Sequence, residues 1–315
     1  MSKLAVVFTG QGSQYTMMGY EDLSNHEAYQ PLLEAFEASL GYDPLNILKN
    51  TENELDQTIY AQPMIVLLSL YLFDTIEATG VDIKGFLGFS LGEISALYAS
   101  KAINLNDIIR LIKHRALWMD EAAHKSNGGM AAVIGLDVEN ILLACQRVSD
   151  DASFVMPVNY NSLEQTVISG SQEKIQTIMP ELKALGAKRV IPLSVSGAFH
   201  TPYMAYAHHK LEGFLESITL HETTAPIYLN VTAKPHQLET LKQNIALQVV
   251  SPVFFYQSMI EMKKDGFTHF LEIGPKPVLT SLIKKIDQSF HTMSLTSLKE
   301  VDAVKGWLET HGFKK

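Results

Sequence analysis

The chain has 315 residues, 46% of them hydrophobic and 19% charged, with a formal net charge of −9 at pH 7. That length fits one large domain, or a main domain with an insertion. The apolar content excludes a disordered chain, and the acidic balance excludes nucleic acid as the main partner, because phosphate backbones need a positive face.

The single cysteine, Cys145, leaves no internal disulfide and no multi-cysteine metal site. The longest apolar stretch, 64–73, is interrupted by Ser69 and falls short of the ~20 residues of a membrane-spanning helix. The apolar run 4–8 is too short for the core of a signal peptide. A soluble protein of a reducing, cytoplasmic compartment is expected, with no membrane partner.

In chain order, residues 3–8 read as a buried strand, followed by a tight loop at Gly10-Gln11-Gly12-Ser13-Gln14. Tyr29, Leu32, Leu33, Phe36 and Leu40 recur at helical spacing, with Gly41 as the C-terminal cap. Pro63 is expected in the first turn of a helix over 62–79. A strand over 84–89 turns into a helix from Ser90 to about 100, and Asn106 is expected to cap a helix reaching His124. Residues 130–136, 154–159, 166–169 and 189–193 read as strands, and 138–148 and 173–185 as helices. That order is βαββαβ, the ferredoxin-like arrangement, although Pro180 argues against an unbroken second helix. A strand at 227–229, helices near 238–249 and 253–264, a strand at 268–273 and a helix near 277–286 complete the pattern. The expected organisation is a discontinuous α/β core, 1–126 and 196–315, interrupted by a small subdomain at 127–195.

The strongest chemical signal is Gly88-Phe89-Ser90-Leu91-Gly92, a G-x-S-x-G between a strand and a helix. A serine on so sharp a turn projects its hydroxyl outward, and the helix behind it directs N–H groups toward developing negative charge. Such a serine needs a base. His200 is the candidate, since Ser196-Gly197-Ala198-Phe199-His200 follows the last subdomain strand directly, whereas His26, His124 and His311 sit in polar neighbourhoods. No acid stands out as a third member, so a dyad oriented by a neutral acceptor and a full triad both fit. Arg115 falls on the apolar stripe of its helix with Ile108, Leu111, Ile112 and Met119. A buried guanidinium needs an anion, either an internal carboxylate or the carboxylate of a substrate. The loop at Gln11 suits a backbone N–H donor to the serine site. No zinc-binding spacing is present, and no metal or cofactor is expected.

The glycine-glutamine loop, Gly88-Phe89-Ser90-Leu91-Gly92-Glu93, Arg115 and Gly197-Ala198-Phe199-His200, taken together, resemble the malonyl-CoA:acyl carrier protein transacylases of type II fatty acid synthesis. Gly129 to Leu136, Asn159-Tyr160-Asn161-Ser162, Asn230-Val231-Thr232, Gln248 with Ser251-Pro252-Val253, and Glu272-Ile273-Gly274-Pro275 extend the likeness over nearly the whole chain. The resemblance implies an α/β-hydrolase-like core with an inserted ferredoxin-like subdomain. It implies Ser90 as nucleophile and His200 as general base, oriented by the main-chain carbonyl of Gln248. The backbone N–H groups of Gln11 and Leu91 would form the oxyanion hole. Arg115 would clamp the malonyl carboxylate, with Phe199, Met119, Asn159 and Asn161 lining the pocket. Malonyl-CoA and acyl carrier protein are the implied partners, CoA being part of the donor substrate, and a monomer is expected. Phe89 departs from the histidine that many members carry before the nucleophile. An acyltransferase serving a polyketide synthase would share this chemistry, and a serine thioesterase or esterase would give the acyl group to water.

Overall fold

Every side chain from Leu4 to Phe8 in the first strand, β1 (Lys3–Phe8), is buried, and its two faces serve different layers. Leu4, Val6 and Phe8 join the larger hydrophobic cluster, while Ala5 and Val7 pack with Phe255, Met259 and Phe270. A strand apolar on both faces belongs inside a parallel sheet covered by helices on each side. The computed structural model describes residues 2–314, so positions 1 and 315 of the expected core lie outside the described residues.

The remaining strands are β2 (Gly85–Gly88), β3 (Gly128–Ile134), β4 (Val155–Ser162), β5 (Gln165–Ser171), β6 (Arg189–Pro192), β7 (Ile227–Tyr228), β8 (Phe267–Ile273) and β9 (His291–Leu295). One sheet has the order β7-β2-β1-β8-β9 with every pairing parallel. The other has the order β4-β5-β3-β6 and is antiparallel. Helices Val138–Val148 and Gln172–Ala184 cover one face of this second sheet, packing Ile141, Cys145, Ile175 and Ile178 with Ala131 and Val133. Its other face, through Met130, Ala132, Val158 and Val167, joins the main core. Pro180 does not interrupt its helix.

The helix Thr58–Glu77 starts earlier than its sequence pattern suggested, and Pro63 lies inside it instead of in its first turn. Thr58, Ala61 and Gln62 are already buried, so the packed face extends upstream of the proline, which gives up only the bond to the Ile59 carbonyl. With 20 residues the helix is long and apolar enough to cross a membrane, unlike the 64–73 stretch taken alone, yet 78% of its most apolar window is buried inside the protein. Asn104, not Asn106, caps the helix Leu105–Ser126, accepting the Asp107 N–H at 3.0 Å. The helices Tyr20–Asn25, Pro44–Lys49 and Val301–Thr310 and the strand β9 were not anticipated.

Candidate active site

Between the end of β2 and the helix Gly92–Ala99 the chain makes a turn so tight that only glycine fits on either side of it. A Cβ on Gly88 would lie 1.9 Å from the Glu93 nitrogen, and one on Gly92 would lie 2.1 Å from the Phe8 carbonyl oxygen. Ser90, at the apex, has φ 50°, a left-handed conformation that side-chain-bearing residues adopt only under external constraint. Asn230 supplies that constraint. Its Oδ1 accepts the Ser90 N–H at 2.7 Å, and its Nδ2 donates to the Gly88 carbonyl at 2.6 Å.

His200 Nε2 lies 2.7 Å from Ser90 Oγ. On the other side of the ring, Nδ1 lies 2.9 Å from the Gln248 carbonyl oxygen and 3.1 Å from that of Ser251. Carbonyls only accept, so the ring proton sits on Nδ1 and the Nε2 lone pair faces the serine hydroxyl. Burial draws the His200 pKa down to about 4, with Arg115 adding to the effect and the two carbonyls opposing it. The imidazole is therefore neutral at pH 7, the state in which it can take a proton from Ser90.

Arg115 is almost fully buried, and neutral amides hold its guanidinium. Nη1 donates to Gln62 Oε1 at 2.7 Å and Nη2 to Gln248 Oε1 at 2.8 Å. Among the described residues no carboxylate forms an ion pair with it. Glu93, also buried, accepts the Asn230 N–H at 2.7 Å and acts on Arg115 only through space. Burial lowers the Arg115 pKa to about 10 and raises that of Glu93 to about 7, despite the hydrogen bonds and the cation that favour its ionised form. Gln248 ties the parts together: its carbonyl faces His200, its Oε1 holds Arg115, and its Nε2 donates to the Ser90 carbonyl at 3.0 Å.

The backbone N–H groups of Gln11 and Leu91 have no partner among the described residues. The Gln11 side chain donates to Thr58 Oγ1 at 3.1 Å and accepts from Gln62 Nε2 at 3.1 Å, joining its loop to the Arg115 network. Met119, one turn beyond Arg115, has its sulfur 3.6 Å from Gln62 Nε2. Phe199 is buried and precedes His200 in the chain, its carbonyl receiving Ser169 Oγ at 2.9 Å. Asn159 and Asn161 are buried on β4, each with an Oδ1 that has no partner among the described residues, and neither hydrogen-bonds Ser90, His200 or Arg115. Phe89 packs edge-on against Phe255 with ring centroids 5.4 Å apart. Sequence reasoning gave no role to Gln62, Glu93 or Asn230. Gln62 and Glu93 stand out only faintly, each a polar side chain within an otherwise apolar helical stretch, and Asn230 enters only within the Asn230-Val231-Thr232 likeness.

The acyl transferase domain family matches residues 5–302. The malonyl CoA-acyl carrier protein transacylase of Staphylococcus aureus (strain MW2) is 33% identical over 311 residues, 98% of this chain and 99% of that protein. That of Bacillus subtilis (strain 168) is 32% identical over 304 residues, 96% of each. The crystal structure of MCAT from Streptococcus pneumoniae superposes with a TM-score of 0.90 at 36% identity, covering 98% of this chain and 100% of that one. A malonyl-transacylase solved in complex with its type II PKS acyl-carrier protein, AntF, superposes with a TM-score of 0.92 at 32% identity, again covering 98% and 100%.

Proposed function

The chain belongs to the acyl transferase family, among the malonyl CoA-acyl carrier protein transacylases, and on that premise we propose that it moves malonyl from CoA to the phosphopantetheine thiol of an acyl carrier protein through an ester on Ser90. In the first half-reaction Ser90 Oγ attacks the thioester carbonyl while His200 Nε2 takes its proton. The tetrahedral intermediate collapses, the C–S bond breaks, and His200 returns the proton to the departing CoA sulfur. In the second, the carrier thiol gives its proton to His200 and its sulfur attacks the ester; Ser90 leaves and recovers the proton. One activated acyl bond replaces another, so the protein mainly orients the reactants and stabilises an oxyanion.

In this reading the N–H groups of Gln11 and Leu91 receive the oxyanion, and the carbonyls of Gln248 and Ser251 keep the histidine in its working tautomer. Phe199 and Met119 shape the acyl pocket, and Asn159 and Asn161 line it with amide oxygens. The observation that carries the proposal is the buried Arg115, held by two neutral amides with no acid paired to it among the described residues. A malonyl carboxylate would complete its hydrogen bonding with two parallel charge-assisted bonds. A thioesterase has no use for such a clamp. The βαββαβ order and the β4-β5-β3-β6 sheet support a ferredoxin-like subdomain over 127–195, inserted into an α/β-hydrolase-like core formed by 1–126 and 196–315. The chain is taken to act as a monomer in the cytoplasm, and the reaction as written draws on no metal or cofactor beyond its CoA donor.

Incubation with malonyl-CoA alone, followed by peptide mapping, should place a malonyl mass on Ser90, and holo acyl carrier protein should discharge it. Turnover without a Ser90 adduct would overturn the mechanism. The complex with a type II PKS carrier favours a second reading of the acceptor. Faster discharge by a polyketide carrier than by a fatty-acid carrier would select it.

A further inference from the structure

Three histidines from separate elements converge away from Ser90. His269 and His291 are register partners on the parallel strands β8 and β9, so their rings share one face and stack with centroids 4.5 Å apart. His311 caps the helix Val301–Thr310, and its ring lies 4.7 Å from that of His269 and 5.5 Å from that of His291. One ring nitrogen from each lies within 4.8 Å of the other two. We propose that these three imidazoles bind one divalent transition-metal ion, zinc fitting best, and thereby fasten the C-terminal helix to the edge of the parallel sheet.

The hydrogen bonds already select the ligand atoms. His269 Nδ1 lies 2.9 Å from Thr268 Oγ1, while its Nε2 is buried without a partner among the described residues. An unsatisfied buried nitrogen is unfavourable, and with Nδ1–H donating to the Thr268 hydroxyl, Nε2 carries the lone pair a metal ion would use. His311 Nδ1 donates to the Trp307 carbonyl at 2.8 Å, which leaves the Nε2 lone pair available. Bound histidines are commonly oriented in this way by a carbonyl on the far nitrogen. His291 is exposed and stacks on His269, so its ring would turn to aim a nitrogen at the shared point. Three nitrogens at about 2.0–2.1 Å from a tetrahedral zinc sit roughly 3.4 Å apart, so the cluster would tighten on binding from its present spacing of up to 4.8 Å, with solvent at the fourth position. Imidazole donors favour zinc, copper or nickel over magnesium and calcium, and the carbonyl end of the helix favours a cation.

The location separates this cluster from the transferase chemistry. His269 lies in the first half of β8 and His291 begins β9, whereas Ser90 follows the end of β2 in the same all-parallel sheet. The cluster therefore occupies the opposite end of the sheet from the serine, and occupancy should alter stability without altering malonyl transfer.

Tag-free, full-length protein stripped with a chelator is titrated with Zn2+ by calorimetry. One Zn2+ per chain should bind and raise the melting temperature. His291→Ala should weaken binding by about tenfold or more, since loss of even an outer partner of a ligand has that effect. His209→Ala, at an exposed histidine elsewhere, should leave binding unchanged. Equal melting temperatures of wild type and His291→Ala in chelator show that only a ligand was lost; should they differ, His311→Ala is read in the same way. Absence of saturable one-to-one binding, equal Zn2+ affinity after loss of the ligand histidine, or Mg2+ binding as tightly as Zn2+ would each overturn the proposal.

Discussion

Acid should weaken this protein in a way traceable to His200. Its pKa falls from 6.5 to about 4, which corresponds to roughly 3 kcal/mol between the protonation states. The folded state resists protonation that the unfolded chain accepts. The contribution of His200 to stability is therefore complete above 6.5 and drains away as the pH falls toward about 4. His269, lowered to about 4, adds a loss of the same sign, while Glu93, raised to about 7, gives the opposite one. A difference between wild type and His200→Gln isolates the histidine. Urea unfolding of both at pH 7.5 and pH 4.5 should show the wild-type advantage shrinking by about 2–3 kcal/mol. The same titration governs chemistry: single-turnover malonylation of Ser90 should keep most of its rate at pH 5.5 and halve near pH 4. A rate midpoint near 6.5, with an unchanged stability difference, would refute the claim that burial sets the protonation of this histidine.

Arg115→Ala should reduce malonyl transfer at least about a hundredfold, because the acyl carboxylate loses a buried partner worth about 3–5 kcal/mol. Acetyl transfer should persist or rise; a malonyl-over-acetyl preference left intact in a competition assay would return Arg115 to a structural role. Wild type should also prefer malonyl to methylmalonyl if Phe199 shapes the acyl pocket as proposed, since it would crowd a branch at the α-carbon; equal kcat/KM values would contradict this. Asn230→Ala removes both anchors of the Ser90 turn, so stability should fall by about 1–3 kcal/mol and acylation should slow; urea midpoints and burst rates equal to wild type would exclude that role. Gly92→Ala places a Cβ 2.1 Å from the Phe8 carbonyl, where backbone cannot yield, so a near-wild-type melting temperature would contradict the packing described.

The sequence was most legible where chemistry and local pattern coincide. The G-x-S-x-G turn, the buried β1 and the arginine on an apolar stripe all announce themselves within a few residues. Gln62 and Asn230 do not, because an amide carries no charge and its partners come from remote segments: Arg115 lies 53 positions from Gln62, and Ser90 lies 140 from Asn230. The start of the helix at Thr58 was obscured by Pro63, which reads as a first-turn residue although the packed face begins upstream. β9 was missed because His291-Thr292-Met293-Ser294-Leu295 is a half-exposed edge strand with little apolar alternation. His311 read as polar surface, yet β8 and β9 bring His269 and His291 against it, and the absence of a zinc-type spacing says nothing about ligands spread over three elements.

The antiparallel sheet is sewn to the parallel core along β4. Tyr160 donates to the Val253 carbonyl at 3.0 Å, Val253 donates to Val158 at 2.7 Å, and the Tyr160 and Phe254 rings stack at 5.2 Å. With Ser169 also tethered to the carbonyl of Phe199, parting the two sheets like jaws about a hinge would break each of these bonds. An opening motion therefore carries a cost, and the contacts favour selection among acyl groups by fit to the resting cleft.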